Sequence, residues 1–397
     1  MSRLHLRTAG ESHGPGLVCV VHGLPHGLEV QKARIDHDLA RRQQGYGRGG
    51  RMKIEQDEVE VLAGLRGGRT LGAPLAMLIR NRDFENWRDV MDPFTPPADV
   101  AAITRPRPGH ADLAGSLKLG LHDARDVLER ASARSTAARV AAGAVARALL
   151  ADCGIELMGH VLRVGHVEAP PIETDYVATQ QDGRPTFHEA RQRAEASEMR
   201  CADAAATRRM IEAVKAAQHD GDSLGGIIEV VAWAVPPGLG SHAEWSDRLD
   251  GRLAQALMSI QAVKGVEIGL GFAAASDPGS RVHDEIEHDG RRFVRPTNRA
   301  GGIEGGMTNG EPVVARVALK PIPTLARPLG SIDLLTKERF LAQKERTDAC
   351  AVPAAAVIAE AAVAFVLADA LLEKTGGDTM DEVRERLAVF EERLASR

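Results

Sequence analysis

One ordered pattern occurs twice in this 397-residue chain and restricts what it can fold into. The run Pro15-Gly16-Leu17-Val18-Cys19-Val20-Val21 is echoed by Gly225-Gly226-Ile227-Ile228-Glu229-Val230-Val231, each of the length and β-branching of a short buried strand. Leu24-Pro25-His26-Gly27-Leu28 is echoed by Val235-Pro236-Pro237-Gly238-Leu239, and each precedes a helical stretch. Gly72-Ala73-Pro74 and its strand are matched by Gly310-Glu311-Pro312 and its strand. The order strand, Pro-x-Gly-Leu turn, helix, Gly-x-Pro, strand implies an internal duplication, with halves near 1–150 and 221–375 packed as one α+β unit. Residues 1–397 then form a single domain. An amphipathic helix at 379–396 closes it, with Thr379 and Glu382 as a capping box and Val383, Leu387, Phe390 and Leu394 as its stripe.

Between these markers the periodicity predicts helices at 31–44 (Ile35 and Leu39 inward) and 203–218 (Met210, Ile211, Val214), and strands at 53–62 and 71–80. A helix beginning near Trp245 is closed by Gln261 to Glu267. Ser132, Ser135 and Thr136 are candidate caps for an Ala/Val-rich helix that stops at Cys153-Gly154. The stretch 168–200 is proline-rich and polar and reads as an irregular excursion. Ala354–Leu372 is apolar, but Glu360 and Asp369 interrupt it; it reads as a buried helix with Pro353 in its first turn, not as a membrane span.

Net charge is −5 and aromatics are only 3% of residues, which argues against a nucleic-acid surface of basic field and stacking rings. The basic residues instead crowd into glycine-containing loops, a distribution suited to a small polyanion. Residues 41–52 hold four arginines and four glycines, read as a mobile cationic lid. In Arg105-Pro106-Arg107-Pro108-Gly109-His110-Ala111-Asp112, two prolines and a glycine fix the backbone before a histidine. Arg130, Ser132 and Arg134 sit just ahead of a helix amino terminus, where amide hydrogens and the dipole favour phosphate. Glycines flank Ser12-His13, and Ala300–Thr308 is another glycine-rich loop. Cys19, Cys153, Cys201 and Cys350 have no metal-ligand spacing, and the first residues lack an apolar signal core, so a reduced cytoplasmic setting without a metal is expected.

Five motifs together resemble the chorismate synthase family: Gly10-Glu11-Ser12-His13-Gly14, Gly47-Arg48-Gly49-Gly50-Arg51-Met52, Arg107-Pro108-Gly109-His110-Ala111-Asp112, Arg130-Ala131-Ser132-Ala133-Arg134 and Arg346-x-Asp348-x-Cys350-x-x-Pro353. They occur in order from about residue 3 to 375. The resemblance implies a layered sheet/helix/sheet α+β unit and a carbon–oxygen lyase acting on phosphates. Its reaction is the 1,4-elimination of phosphate from 5-enolpyruvylshikimate 3-phosphate to chorismate, with reduced FMN (FMNH2) and no net redox change. It assigns catalysis to His13 (protonating the departing phosphate), His110 (beside the flavin's pyrimidine ring) and Asp348 (taking a proton from the flavin's central-ring nitrogen). Arg42, Arg48, Arg107, Arg134 and Arg346 are expected to bind substrate or NADP. Flavin contacts are expected from Arg130, Ala131, Ser132, Gln261, Ala262, Gly305, Lys320, Pro321, Ile322, Pro323, Thr324 and Arg346. A homotetramer fed by an external flavin reductase, touching neither nucleic acid nor membrane, completes the expectation.

Three positions depart from the family pattern: Ser135 where Glu is common, Leu119 where Tyr is common and Thr347 where His is common. A non-catalytic binder of phosphorylated metabolites would also use arginines and glycine loops. It would not need two histidines and Asp348 in three separate loops.

Overall fold

The computed structural model describes residues 3–49, 56–95, 99–172, 174, 186–343 and 348–396. Strands β1 (His5–Ala9), β2 (Gly16–His22), β3 (Val59–Ala63) and β4 (Leu75–Arg80) form a sheet in the order β1-β2-β4-β3, each pair antiparallel. The register sets Leu17 against Ile79, Cys19 against Met77 and Val21 against Leu75, all buried, so a period of two lays down one apolar face. The β1–β2 turn depends on Gly10: at φ +108° a Cβ would lie 2.3 Å from the Gly16 carbonyl oxygen.

A second antiparallel sheet contains β5 (Glu156–Val164), β6 (Val167–Glu168), β7 (Gly226–Trp233), β8 (Val263–Ile268) and β9 (Val313–Leu319), in the order β8-β9-β7-β5-β6. Traced from β5, the order β5-β7-β9-β8 repeats β1-β2-β4-β3. The echoed runs β2 and β7 hold equivalent positions, as do β4 and β9. β5 takes the place of β1 although it precedes residue 221. Residues 263–268, expected to close a helix, are instead the edge strand β8. Val263, Val266 and Ile268 pair along β9, and this tertiary pairing overrides the local helical reading.

The helices are α1 (Lys32–Gln43), α2 (Asp112–Leu119), α3 (Arg125–Ala131), α4 (Thr136–Asp152), α5 (Phe187–Ala196), α6 (Ala204–Asp220), α7 (Leu249–Met258), α8 (Val352–Thr375) and α9 (Met380–Ala395). α4 lies on β2 and β4, α8 lies on β5 and β7, and the two helices pack on each other with α1 and α7 alongside. The result is the layered sheet/helix/sheet arrangement. Small side chains permit the close crossing: a Cβ on Gly143 of α4 would sit 2.3 Å from the Ala361 Cβ of α8. α8 is long and apolar enough to cross a membrane by composition, yet it is buried almost all round in this core, as its lack of a polar face requires.

The two charges that interrupt α8 are tie points. Glu360, fully buried, takes Arg41 at 2.9 Å, Arg147 at 2.9 Å and the Gly159 backbone N–H at 2.7 Å. Burial opposes its ionisation, but Arg147 and Arg41 outweigh that and hold its carboxyl well below the usual range. Asp369 accepts the backbone N–H groups of Arg3 and Leu4, each at 2.7 Å. The 168–200 excursion contains an unexpected helix, α5, begun by a Thr186/Glu189 capping box. Its Phe187, Ala190 and Ala194 cover Met158 and Val231 on the outer face of the second sheet. Residues 112–131 hold two helices that the periodicity did not predict, α2 and α3. Thr379 and Glu382 form a capping box at the start of α9, which buries Met380, Val383 and Leu387.

Candidate active site

α4 and α8 both begin at one cavity of about 500 Å³, where Ala133, Arg134 and Thr136 meet Ala351, Ala354 and Ala355. Two helix amino termini facing one space favour an anion there. Around this focus the chain assembles the β1–β2 loop, the end of α1, the Pro-Gly turn 105–111, the α7–β8 turn and the exit of β9.

Each histidine in the cavity is held by a buried carboxylate that no motif assignment named. His13 Nδ1 lies 2.8 Å from Glu129 Oε1, and the His13 backbone N–H donates to Oε2 at 2.8 Å. Trp87 stacks on the His13 ring at 4.0 Å between centroids. His110 Nδ1 lies 2.5 Å from Asp112 Oδ1, while Arg107 Nε donates to Asp112 Oδ2 at 2.8 Å. Burial raises both carboxyls, but the hydrogen bond from His13 at Glu129, and those from His110 and Arg107 at Asp112, outweigh it and hold them below their ordinary range. Asp112 was visible as the end of the Arg107 motif and Glu129 as the neighbour of Arg130; a carboxylate able to reach a histidine was the missed signal.

Arg42 and Arg134 enter from different elements and share Asp57, at 2.7 and 2.6 Å. Burial works against Asp57 ionising, yet the two guanidiniums prevail and keep its carboxyl low. Asn81 connects this pair to the His13 loop. Its Oδ1 accepts from Arg134 Nε at 2.8 Å, and its Nδ2 donates to the carbonyls of Glu11 at 3.1 Å, Ser12 at 3.3 Å and Gly14 at 2.7 Å. Arg48 pairs with Asp348 at 2.7 Å, and the Gly49 N–H donates to the other Asp348 oxygen at 2.6 Å. The residues read as a mobile lid are partly tied down: Arg41 and Arg42 are buried in the last turn of α1, and Gly47 accepts from the Ala349 N–H at 2.9 Å.

Of the residues assigned by resemblance, His13, His110, Asp348, Arg42, Arg48, Arg107 and Arg134 all line the cavity. So do Ala131, Ser132, Gln261, Ala262, Lys320, Ile322, Pro323 and Thr324. Arg130 is exposed and donates to the Thr8 and Gly10 carbonyls at 3.1 and 3.2 Å. Pro321 is exposed beside the cavity wall, and Gly305 turns the hairpin joining Ile303–Glu304 to Met307–Thr308. Arg346, Thr347 and residues 50–52 lie outside the described residues. Ser135 accepts from Gln261 Nε2 at 3.1 Å and donates to the Ser132 carbonyl at 2.9 Å, so it joins two cavity walls, whereas Leu119 is exposed.

Several features suit this space to a flat, anionic cofactor as well as a substrate. Leu128, Ile260, Leu319 and Ile358 give it apolar walls, while Lys320 and the arginines supply charge. Gln261 Oε1 and Arg42 Nε are buried there with no hydrogen-bond partner among the described residues. Ala262 holds φ +69°, a conformation costly for alanine and typical of constrained sites. Burial, then Lys264, lowers the Lys320 ammonium.

The family model for chorismate synthase matches residues 4–372. Chorismate synthase of Syntrophotalea carbinolica is 54% identical over 393 residues, covering 99% of both chains, and that of Moorella thermoacetica is 57% identical over 392 residues, covering 98% of this chain and 99% of the other. A crystal structure of a chorismate synthase superposes with a TM-score of 0.80 at 41% identity, covering 100% of each chain. Paired sheets in one strand order, five motifs converging on one cavity and full-length identity above one half lead to a single assignment: the chain belongs to the chorismate synthase family.

Proposed function

We propose that this chain is a lyase of the shikimate pathway that releases phosphate from 5-enolpyruvylshikimate 3-phosphate by 1,4-elimination, giving chorismate, with reduced FMN as its cofactor. The observation that carries this reading is the convergence of two carboxylate-held histidines and four arginines on one cavity at two helix amino termini. A substrate with two carboxylates and a phosphate needs fixed, always-charged forks, which arginine supplies. Arg42 and Arg134, aligned by Asp57, and Arg48 and Arg107 bind these groups or, alternatively, NADP.

Reduced FMN, when bound, supplies electron density to the breaking bond and recovers it, so the reaction needs the cofactor without consuming it. The orphaned Gln261 Oε1, Lys320 and the apolar walls would hold it. His13 donates a proton from its cavity-facing nitrogen to the departing phosphate, neutralising charge as it develops. His110, oriented by Asp112, would offer positive or hydrogen-bonding character to the bound flavin. Asp348 accepts a proton at a carboxylate oxygen. The enzyme works as a homotetramer in the cytoplasm, supplied with reduced flavin by a separate reductase. Anaerobic incubation with substrate and reduced FMN should release chorismate and phosphate in equal amounts; absence of both overturns the reading.

A further inference from the structure

Glu129 spends both carboxylate oxygens on one residue. Oε1 meets His13 Nδ1 at 2.8 Å, Oε2 accepts the His13 backbone N–H at 2.8 Å, and the Glu129 carbonyl accepts the Ser12 N–H at 3.1 Å. The carboxylate is 2% exposed, Trp87 covers the imidazole face, and Arg125 stands 4.0 Å from Oε1 as a counter-charge. Asp112, by contrast, divides its oxygens between His110 and Arg107. An ionised carboxylate only accepts, so the hydrogen must sit on His13 Nδ1.

We infer that Glu129 is the positioning residue of the proton donor: it fixes the His13 tautomer and steadies the imidazolium, so that the transferable hydrogen is always the one on Nε2. The inference rests on the reading of His13 as the donor. In the step, the Nε2–H bond breaks and its proton passes to a leaving phosphate oxygen. The ring returns to neutral with hydrogen still on Nδ1, bonded to Glu129. A buried acceptor that holds one ring nitrogen makes the other the working one.

Glu129→Gln tests this with little change of shape. Glutamine replaces one of the two oxygens that hold His13 by an NH2 group, and with the remaining oxygen on the His13 backbone N–H that NH2 faces Nδ1. The neutral ring then carries its hydrogen on Nε2 and must pass through an imidazolate to donate it. Histidine-selective 15N NMR, with the His13 signal identified by its loss in His13→Ala, reads the tautomer directly. Nδ1–H is expected in the wild type and Nε2–H in Glu129→Gln, with kcat lowered about 100- to 10,000-fold and KM nearly unchanged. An Nε2–H ring in the wild type overturns the proposal even if the variant does not fold. An unflipped tautomer in Glu129→Gln, or full turnover in that variant alone, removes the proposal and leaves the donor reading standing. Full turnover in both Glu129→Gln and His13→Ala removes the donor reading and the proposal with it.

Discussion

Arg48 and Asp348 meet at 2.7 Å on the cavity wall, and the other Asp348 oxygen is taken by the backbone N–H of Gly49 at 2.6 Å. The proposed base thus also anchors the glycine-rich segment that follows α1. Asp348→Asn keeps the shape but cannot accept a proton, and its NH2 must oppose one of those two donors. The variant should fold and bind oxidised FMN, lose most of its elimination rate, and be nicked faster by protease around residues 44–49. Single-turnover product formation beside thermal unfolding checks this. A near-normal rate with a lowered Tm would make Asp348 a structural tie.

His13→Ala should lose turnover by about 100- to 10,000-fold, the usual contribution of a positioned general acid. Substrate affinity should change little if, as proposed, the arginines carry it. Steady-state kinetics with separate kcat and KM are decisive; a steep rise in KM with kcat intact would make His13 a binding residue.

Much of this arrangement was readable in the chain and some was not, for physical reasons. The echoed strand runs pointed to two sheets because short β-branched runs suit buried strands; the second is buried continuously from Ile228 to Ala232. His13, His110 and Asp348 were legible as motif residues in loops. Glu129 was hidden because its partner lies 116 residues away, and no local pattern records that pairing. Asp57 and Asn81 act on arginines and carbonyls from distant segments in the same way. β8 was misread because Val263–Ile268 follows a helix closely, and only its pairing with β9 settles its conformation.

Asn81→Asp should loosen the His13 loop while keeping its acceptor for Arg134. The change removes the donor that serves the Glu11, Ser12 and Gly14 carbonyls. Buried acceptors left unsatisfied cost about 1–3 kcal/mol, so a lower Tm and a lower kcat are expected together. Unchanged values of both would show that the loop is held by other contacts.

Glu360→Gln should destabilise the helix layer by about 3–5 kcal/mol, the usual cost of breaking a buried ion pair. Arg41 and Arg147 hold the folded carboxyl below its ordinary value. Its contribution is therefore complete above the unfolded carboxylate pKa of about 4.3 and is lost as pH falls through the lower folded value. Urea unfolding at neutral and acidic pH should show the variant weaker at neutral pH and less sensitive to acid. Equal pH dependence in both proteins would contradict this.

The central claim is a redox-neutral elimination that needs reduced flavin without spending it. The direct measurement is the number of chorismate molecules formed per reduced FMN, in a sealed anaerobic reaction with flavin limiting and no reductant present. Many turnovers per flavin are expected, with equal phosphate release and the flavin still reduced at the end. One product per flavin oxidised, or turnover with oxidised FMN alone, would contradict it.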